Sequence, residues 1–488
     1  MDAQRSNDLA WSCLRAGQAD LALAHALRAH ELKRGNLDYL NTLGVAYGET
    51  GQLALAEETF RKLLKRSPTF LDALVNLAKA LEKQERLAEA RPLYERALAI
   101  EPRFPRLATN LANVCRSLGD AARARELLER GRDTIDPQGL EMGLAECEVE
   151  LGDVPRALER LREAVDGHDD WYYAQSAYAH LLLATGQWRE GWRYYLARRK
   201  AIDPRAPLGD VAMLPAKLER QRILLRGDQG IGDVLFFLRF APLARERGAV
   251  LTLASEKKLL PVLGAGKALE AVREQRGGDD CDPGFERRIW LGDLPGVLGT
   301  EATPPPWPLS VDDGERRRAH ERLAALGPPP YLGVTWRAGT DTARGREFGE
   351  ERKSLSKAVP PRLLGAALRG WRGTALLLQR GARPGDAAEF AAGFGAPAHD
   401  LTALTDDLRA TLAVLAALDE YATVSNTNIH LLAGLGKTAR VLIPYPAEWR
   451  WMRLEGRSPW FPDFPVYRQP ASRDWTAALE RLRKDLSK

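Results

Sequence analysis

The chain has 488 residues, 45% of them apolar, and its 71 basic and 66 acidic side chains leave a formal net charge of +5. That length accommodates roughly two to four domains with buried cores, and so small an excess, spread over a mixed chain, excludes the polybasic block of a nucleic-acid arm or a membrane-surface helix. Cys13, Cys115, Cys147 and Cys281 stand far apart without a CxxC pair, which points away from a zinc ribbon or a disulfide framework and toward a reducing, cytoplasmic compartment.

The opening MDAQRSNDLAWSCLRAG carries acids and no apolar core of an export signal, and no run of about eighteen apolar residues follows anywhere, so a soluble chain without a transmembrane segment is expected. The chain then repeats itself at a shift of 34. Gly17 and Gly51 fall in step, as do Ala22, Ala56, Ala90 and Ala124, then Leu43, Leu77 and Leu111, then Phe60, Tyr94 and Leu128. Pro68 and Pro102 close two units, and Asn76 and Asn110 recur within the first helix of adjacent ones. Later units drift: Gly152 is 33 after Gly119, and Gly186 is again 34 further on. Each unit reads as two amphipathic helices whose small residues let the pair approach. The pattern resembles the tetratricopeptide repeat, which implies an α-solenoid over residues 1–200 with a continuous core and a concave groove. That groove either docks a peptide segment or serves as a spacer or dimerisation arm. Nothing in it reads as catalytic, so any chemistry lies downstream.

Residues 201–220, AIDPRAPLGDVAMLPAKLER, carry three prolines and no helical stripe, and read as a linker packed over a surface. From 221 to 326 short β-like runs alternate with helical ones: RILLR, VLFFLRFAPLARERG, AVLTLAS, KKLLPVLGAG and RRIWLGDLP. The alternation predicts a parallel sheet with crossover helices. TPPPWPLSVDD breaks the pattern, a helix runs to about Leu326, and GPPPYLGVTW opens a second lobe over 327–488. That lobe continues through TALLLQRG, VLAALDEYATVSN and ARVLIPYP to a closing helix, RDWTAALERLRKDL. Two Rossmann-like lobes of this kind bind ligands in a cleft at the carboxyl ends of their strands.

The first such end is RGDQGIGDVLFFLRFAP, Arg226 to Pro242. Gly227, Gly230 and Gly232 permit a tight turn after the strand Ile223–Leu225, and Val234 to Phe240 begin a helix. A dinucleotide fingerprint fails because Leu235 stands at its third glycine, and a P-loop fails because Leu431 stands where the first glycine before Gly436-Lys437-Thr438 belongs. Asp233 is left with two readings, a helix cap or a general base for an acceptor hydroxyl.

In the second lobe TVSNTNIHLLAGLGK ends a strand and opens a helix. Asn426 or Thr427 can cap it, its free amides would receive a diphosphate, and Asn428 lies beside them. His430, one turn in, either donates to phosphate or is a packing residue. Arg337 follows Trp336 at the end of GVTW, and Arg352, Lys353 and Ser354 follow a polar loop; these are either oxyanion contacts or solvated loop residues. Asp280 and Asp282 form a DxD triplet in a glycine-rich loop of the first lobe, away from these groups, so no metal site is expected and helix dipole and cations would stabilise a leaving diphosphate. Trp449, Trp451 and Trp460 either pack the lobes together or stack a base.

At LLRGDQGIGDVLFFLRFAPLARERG, LGVTWRAGT, ERKSL, DLTALTDDLRATLAVLAALDEYATVSNTNIHLLAGLGK and PAEWRWMRLEGRSPWFPDFPVYRQ, the chain resembles the heptosyltransferase-like glycosyltransferases of family 9 type, in particular bacterial proteins that append such a domain to tetratricopeptide repeats. The resemblance implies a GT-B fold, an acceptor on the first lobe, a nucleotide sugar on the second, and inversion by direct displacement. It implies Asp233 as base, with Thr427 and His430 on the donor pyrophosphate and Lys353 and Ser354 as further basic and hydroxyl contacts. The chain departs from the family where Asn426 replaces a common aspartate and Arg337 a small residue, which opens the identity of the donor; Arg337 would add a diphosphate contact. The expected protein is thus a metal-independent, cofactor-free inverting glycosyltransferase acting on a hydroxyl, with a protein acceptor held by the repeats. A lipid-linked or polysaccharide acceptor is one alternative; a non-catalytic repeat adaptor with a decayed transferase domain is the other.

Overall fold

The computed structural model describes residues 2–104, 106–202, 211–263, 268–276, 282–338, 357–452 and 457–486, and the chain divides into two compact units, Met1–Leu161 and Arg162–Lys488.

The first unit is a succession of helix hairpins. α1 (Ala3–Arg15) packs on α2 (Ala19–Leu32), α3 (Leu37–Glu49) on α4 (Leu53–Arg66), α5 (Leu71–Lys83) on α6 (Leu87–Ile100), and α7 (Leu107–Ser117) on α8 (Ala121–Arg130). α9 (Pro137–Leu151) and α10 (Val154–Val165) follow, the latter running across the division. The residues in step along the sequence form the core. Ala22, Ala56, Ala90 and Ala124 are fully buried, so each second helix can press close, and Phe60, Tyr94 and Leu128 fill the space beside them. Gly17, Gly51, Gly119 and Gly152 adopt φ between 70° and 86° at the turn between paired helices, a left-handed conformation in which a Cβ would crowd the following carbonyl. Glu85 occupies that same turn of the third hairpin with φ 62°.

The second unit begins with α11 (Tyr172–Ala184), α12 (Trp188–Tyr195) and α13 (Arg198–Ile202). The sequence pattern assigns these helices to the repeat region ending at 200, but they fold with the α/β unit. Trp192, 1% exposed, stands edge-on to Phe237, Phe240, Trp449 and Trp460, and buried Arg198 pairs with Asp228 and Asp293. Periodicity records how a helix pairs with its neighbour, whereas what its outer face buries against decides the unit. In the described part of the segment 201–220, Leu214 and Leu218 are buried, and Arg247 donates to the carbonyls of Leu214 at 3.0 Å and Leu298 at 2.8 Å.

One sheet follows, of β1 (Arg222–Arg226), β2 (Val250–Ser255), β3 (Ala271–Glu274) and β4 (Arg287–Trp290), all parallel in the order β3-β2-β1-β4. A second contains β5 (Tyr331–Thr335), β6 (Thr374–Leu377), β7 (Ala398–Asp400), β8 (Glu420–Val424), β9 (Arg440–Ile443) and β10 (Val466–Arg468), parallel in the order β10-β9-β8-β5-β6-β7. Both orders reverse beside the first strand, the doubly wound pattern that opens a crevice at the strands' carboxyl ends. Crossover helices include α14 (Ile231–Phe237) and α15 (Ala241–Glu246) after β1, α16 (Leu260–Leu263) after β2 and α17 (Leu294–Leu298) after β4. α18 (Asp313–Leu326) leads into the second sheet, where α19 (Pro361–Leu368), α20 (Asp386–Phe394), α21 (Leu408–Ala417) and α22 (Thr427–Gly434) lie between strands and α23 (Thr476–Leu486) closes the chain. The helix expected to begin at Val234 begins at Ile231 and tightens into a 3-10 turn at Leu238–Phe240 before Pro242, which has no N–H to extend it.

The proline-rich segment between the lobes is held against the second one. Leu309 N donates to the Gly434 carbonyl at 2.8 Å, and a Cβ on Gly434 would lie 2.7 Å from Leu309 Cγ, so only glycine lets the segment cross the end of α22. Among the described residues no helix is long and apolar enough to cross a membrane.

Candidate functional site

The turn after β1 and the turn after β8, far apart in sequence, meet because α14 packs directly on α22. A Cβ on Gly232 would lie 3.1 Å from His430 Cδ2 and 3.4 Å from Thr427 Oγ1. The glycines of this turn therefore have a different reason from the one the sequence suggested. None of Gly227, Gly230 and Gly232 has a positive φ. Gly227 makes room for Ser255 and Val234, with a Cβ meeting each at 3.2 Å, and Gly232 makes room for the second lobe.

Asp233 is the third residue of α14, whose N-cap is Gly230 and which has no side-chain cap, so the capping alternative falls. Its carboxylate faces the second lobe instead, where Oδ1 pairs with Arg450. The Gln229 amide, oriented to satisfy both neighbours, donates to Asp233 Oδ1 at 3.3 Å and accepts from Arg198 Nε at 2.9 Å. No hydrogen bond to Oδ2 is formed among the described residues, and the side chain is 28% exposed.

Asn426 caps α22, accepting from Asn428 N at 3.0 Å while its amide donates to Thr423 Oγ1 at 2.8 Å. Asn428 donates to the Tyr421 hydroxyl at 2.7 Å, which lies 2.6 Å from Thr335 Oγ1, so this amide ties the helix to the ends of β8 and β5. Both asparagines thus shape the helix start, and Thr427 and His430 are the groups it presents toward Gly232. The half-buried His430 ring is edge-on to Phe236 at 6.0 Å and Phe461 at 5.4 Å, and its Nδ1 has no hydrogen-bond partner among the described residues. Burial, then Arg450, Arg239 and Lys357, hold the imidazole well below its usual range. At neutral pH it is uncharged, with one N–H to donate.

Arg337 leaves β5 with its backbone held by Gln379, whose Oε1 accepts from Trp336 N at 3.1 Å and Arg337 N at 2.9 Å, and its guanidinium donates to the Gly381 carbonyl. Lys353 and Ser354, with Arg352, lie outside the described residues. So does Asp280, while Asp282 pairs with Arg273 at 3.0 Å.

Sequence reasoning missed several charged groups here. Glu448 binds Lys357 through Oε2 and Ser425 through Oε1, which also accepts from Trp451 Nε1 at 3.0 Å. Burial alone would raise this carboxyl, but Lys357, Arg450 and the hydrogen bonds outweigh it and hold it at about 2. Arg450 lies 4.6 Å from the ring centres of both Phe236 and Trp449. Arg239, 2% exposed, donates to the carbonyls of Phe236 at 3.0 Å and Trp460 at 3.1 Å, and burial followed by repulsion from Arg450 lowers it to about 9. Lys357 and Arg450 are thus each matched by a carboxylate, Glu448 and Asp233, while Arg239 is buried against backbone carbonyls. Trp449, Trp451 and Trp460 are all buried, the packing alternative. In EWRW the rings pack, while Glu448 and Arg450 reach charged partners on other elements.

Models of the tetratricopeptide repeat match residues 41–102 and 81–139, and the N-terminal part of the chain carries these repeats, a protein-interaction module. The chain is similar to Protein FlbA of Caulobacter vibrioides, 26% identical over an alignment 231 residues long that covers 41% of this chain and 38% of that protein's length. Among solved structures it is similar to the tetratricopeptide protein TTC0263 of Thermus thermophilus, with 22% identity, 37% of this chain and 99% of that one covered, and a TM-score of 0.31. MamA of Desulfovibrio magneticus is 22% identical over 34% of this chain and 93% of its own, also with a TM-score of 0.31.

Proposed function

We propose that the second unit is a GT-B glycosyltransferase that moves a sugar from a nucleotide-sugar donor to a hydroxyl with inversion and without a metal, and that the repeats recruit a protein acceptor. The observation that supports it most is the meeting of Asp233 and Gly232 at the end of β1 with Thr427 and His430 at the end of β8. In this reading the α22 amides, the Thr427 hydroxyl and the His430 N–H bind the donor diphosphate, and the positive end of the α22 dipole offsets part of its charge. Arg337, Lys353 and Ser354 are assigned to the same donor on the family resemblance. Arg450 anchors Asp233 Oδ1 and leaves Oδ2 to take the proton of the acceptor hydroxyl. As that oxygen bonds to the anomeric carbon, the bond from carbon to the diphosphate oxygen breaks, and the nucleoside diphosphate leaves from the opposite face. A general base of this kind contributes about 10²–10⁴ in rate.

The test is calorimetric titration of the full chain with UDP, GDP, ADP and CMP, followed by transfer assays with the matching nucleotide sugars. One nucleotide should bind, His430→Ala should weaken it about tenfold, and Asp233→Asn should keep the binding while transfer falls at least a hundredfold. Failure of all four nucleotides to bind would move the weight to the non-catalytic adaptor. Wild-type transfer by Asp233→Asn would remove the base assignment.

A further inference from the structure

We propose that His180, carried by α11 and not by either sheet lobe, forms the acceptor side of the crevice and hydrogen-bonds the acceptor next to the reacting hydroxyl. The inference rests on the transferase reading above and adds a wall to its site. α11 packs on the 3-10 turn Trp449–Trp451, the turn that carries the Arg450 bonded to Asp233. The His180 ring lies edge-on to Tyr195 at 5.6 Å. The Tyr195 hydroxyl is 3.4 Å from the Gln229 amide, and that amide reaches Asp233 Oδ1 at 3.3 Å. A short chain of contacts therefore runs from the helical segment to the proposed base.

His180 is open to solvent, yet burial by surrounding protein, then Arg450 and Arg198, lower it to about 4. Above that value the ring is neutral and offers one donor and one acceptor nitrogen. A peptide group presents the complementary pair, a carbonyl and an N–H. The position also separates the two substrates. α22 meets the β1 turn at Gly232, whereas His180 and Tyr195 approach it through Gln229. A neutral imidazole beside a phenol suits an uncharged acceptor better than a diphosphate, which the amides at the start of α22 are placed to receive.

The experiment uses the full chain, the nucleotide sugar of whichever nucleotide binds, and a pool of acetylated, amidated peptides with a central serine or threonine. His180→Ala should raise KM for the peptides at least tenfold, with kcat and nucleotide affinity within twofold of wild type. His180→Gln, which keeps a donor and an acceptor, should recover most of the loss. An unchanged KM in His180→Ala, or an equal loss of nucleotide affinity, would overturn the acceptor role while leaving the transferase reading intact. Absence of wild-type transfer to the peptides would overturn the peptide-acceptor reading and this proposal with it.

Discussion

Glu85 holds a place in its hairpin that Gly17, Gly51, Gly119 and Gly152 hold in the others, and it pays for it. Its φ of 62° is left-handed, a conformation that costs a residue with a Cβ about 1–2 kcal/mol. Its side chain is exposed and makes no ion pair or hydrogen bond among the described residues, so nothing local offsets that strain. Glu85→Gly removes the clash but gives the unfolded chain extra freedom, at about 0.5–1 kcal/mol. The balance is a gain of about 0.5–1 kcal/mol, or roughly 2–3 °C in Tm for a unit of this size. Glu85→Ala is the control, because it removes the charge and keeps the Cβ, and it should gain nothing. Repeat arrays open locally, so the sharpest assay is amide hydrogen exchange across α5 and α6 in the full chain, where Glu85→Gly should slow exchange several-fold and Gly51→Ala should speed it in the neighbouring hairpin. Equal exchange in Glu85→Gly and Glu85→Ala would refute the argument that the left-handed turn dictates the glycine.

Gly232→Ala should keep the fold but crowd His430 and Thr427, where its Cβ would sit 3.1 Å and 3.4 Å away; nucleotide affinity measured by calorimetry should fall about tenfold, or about 1.4 kcal/mol. Glu448 is held at about 2, against an ordinary 4.5. The unfolded chain therefore binds the extra proton between those values, and the contribution, about 3 kcal/mol, is fully present above 4.5 and lost as pH falls toward 2. Urea melts across that range should show the decline, and Glu448→Gln should be less stable at neutral pH with a flatter acid limb. A parallel acid limb in wild type and variant would remove Glu448 from this account.

The repeats were legible because the hairpins write nearly the same solution again: an alanine where helices touch, a large apolar residue beside it, and in all but the third a glycine at the turn. The strand–turn–helix units were legible because a parallel strand buried on both faces is continuously apolar, as in RILLR and YATV. Within the site, the pairing of the Gly232 turn with Thr427 and His430 could be anticipated only as two separate strand ends; their contact depends on how α14 lies on α22. Glu448 and Arg450 escaped notice because nothing in local spacing distinguishes a buried charge from a solvated one when its partners, Lys357 and Asp233, come from other elements. His180 escaped for the related reason that its helix continues the repeat pattern while its outer face serves the α/β unit.

Trp192 touches Phe237 and Phe240 of the first lobe and Trp449 and Trp460 of the second at once. A tryptophan covers about 150–250 Å², worth about 4–6 kcal/mol at 25 cal/mol per Å². Pulling the lobes straight apart would wet that ring and leave the open form at less than about one molecule in a thousand. A relative motion of the lobes that avoids this cost is a shear that keeps the four rings on Trp192.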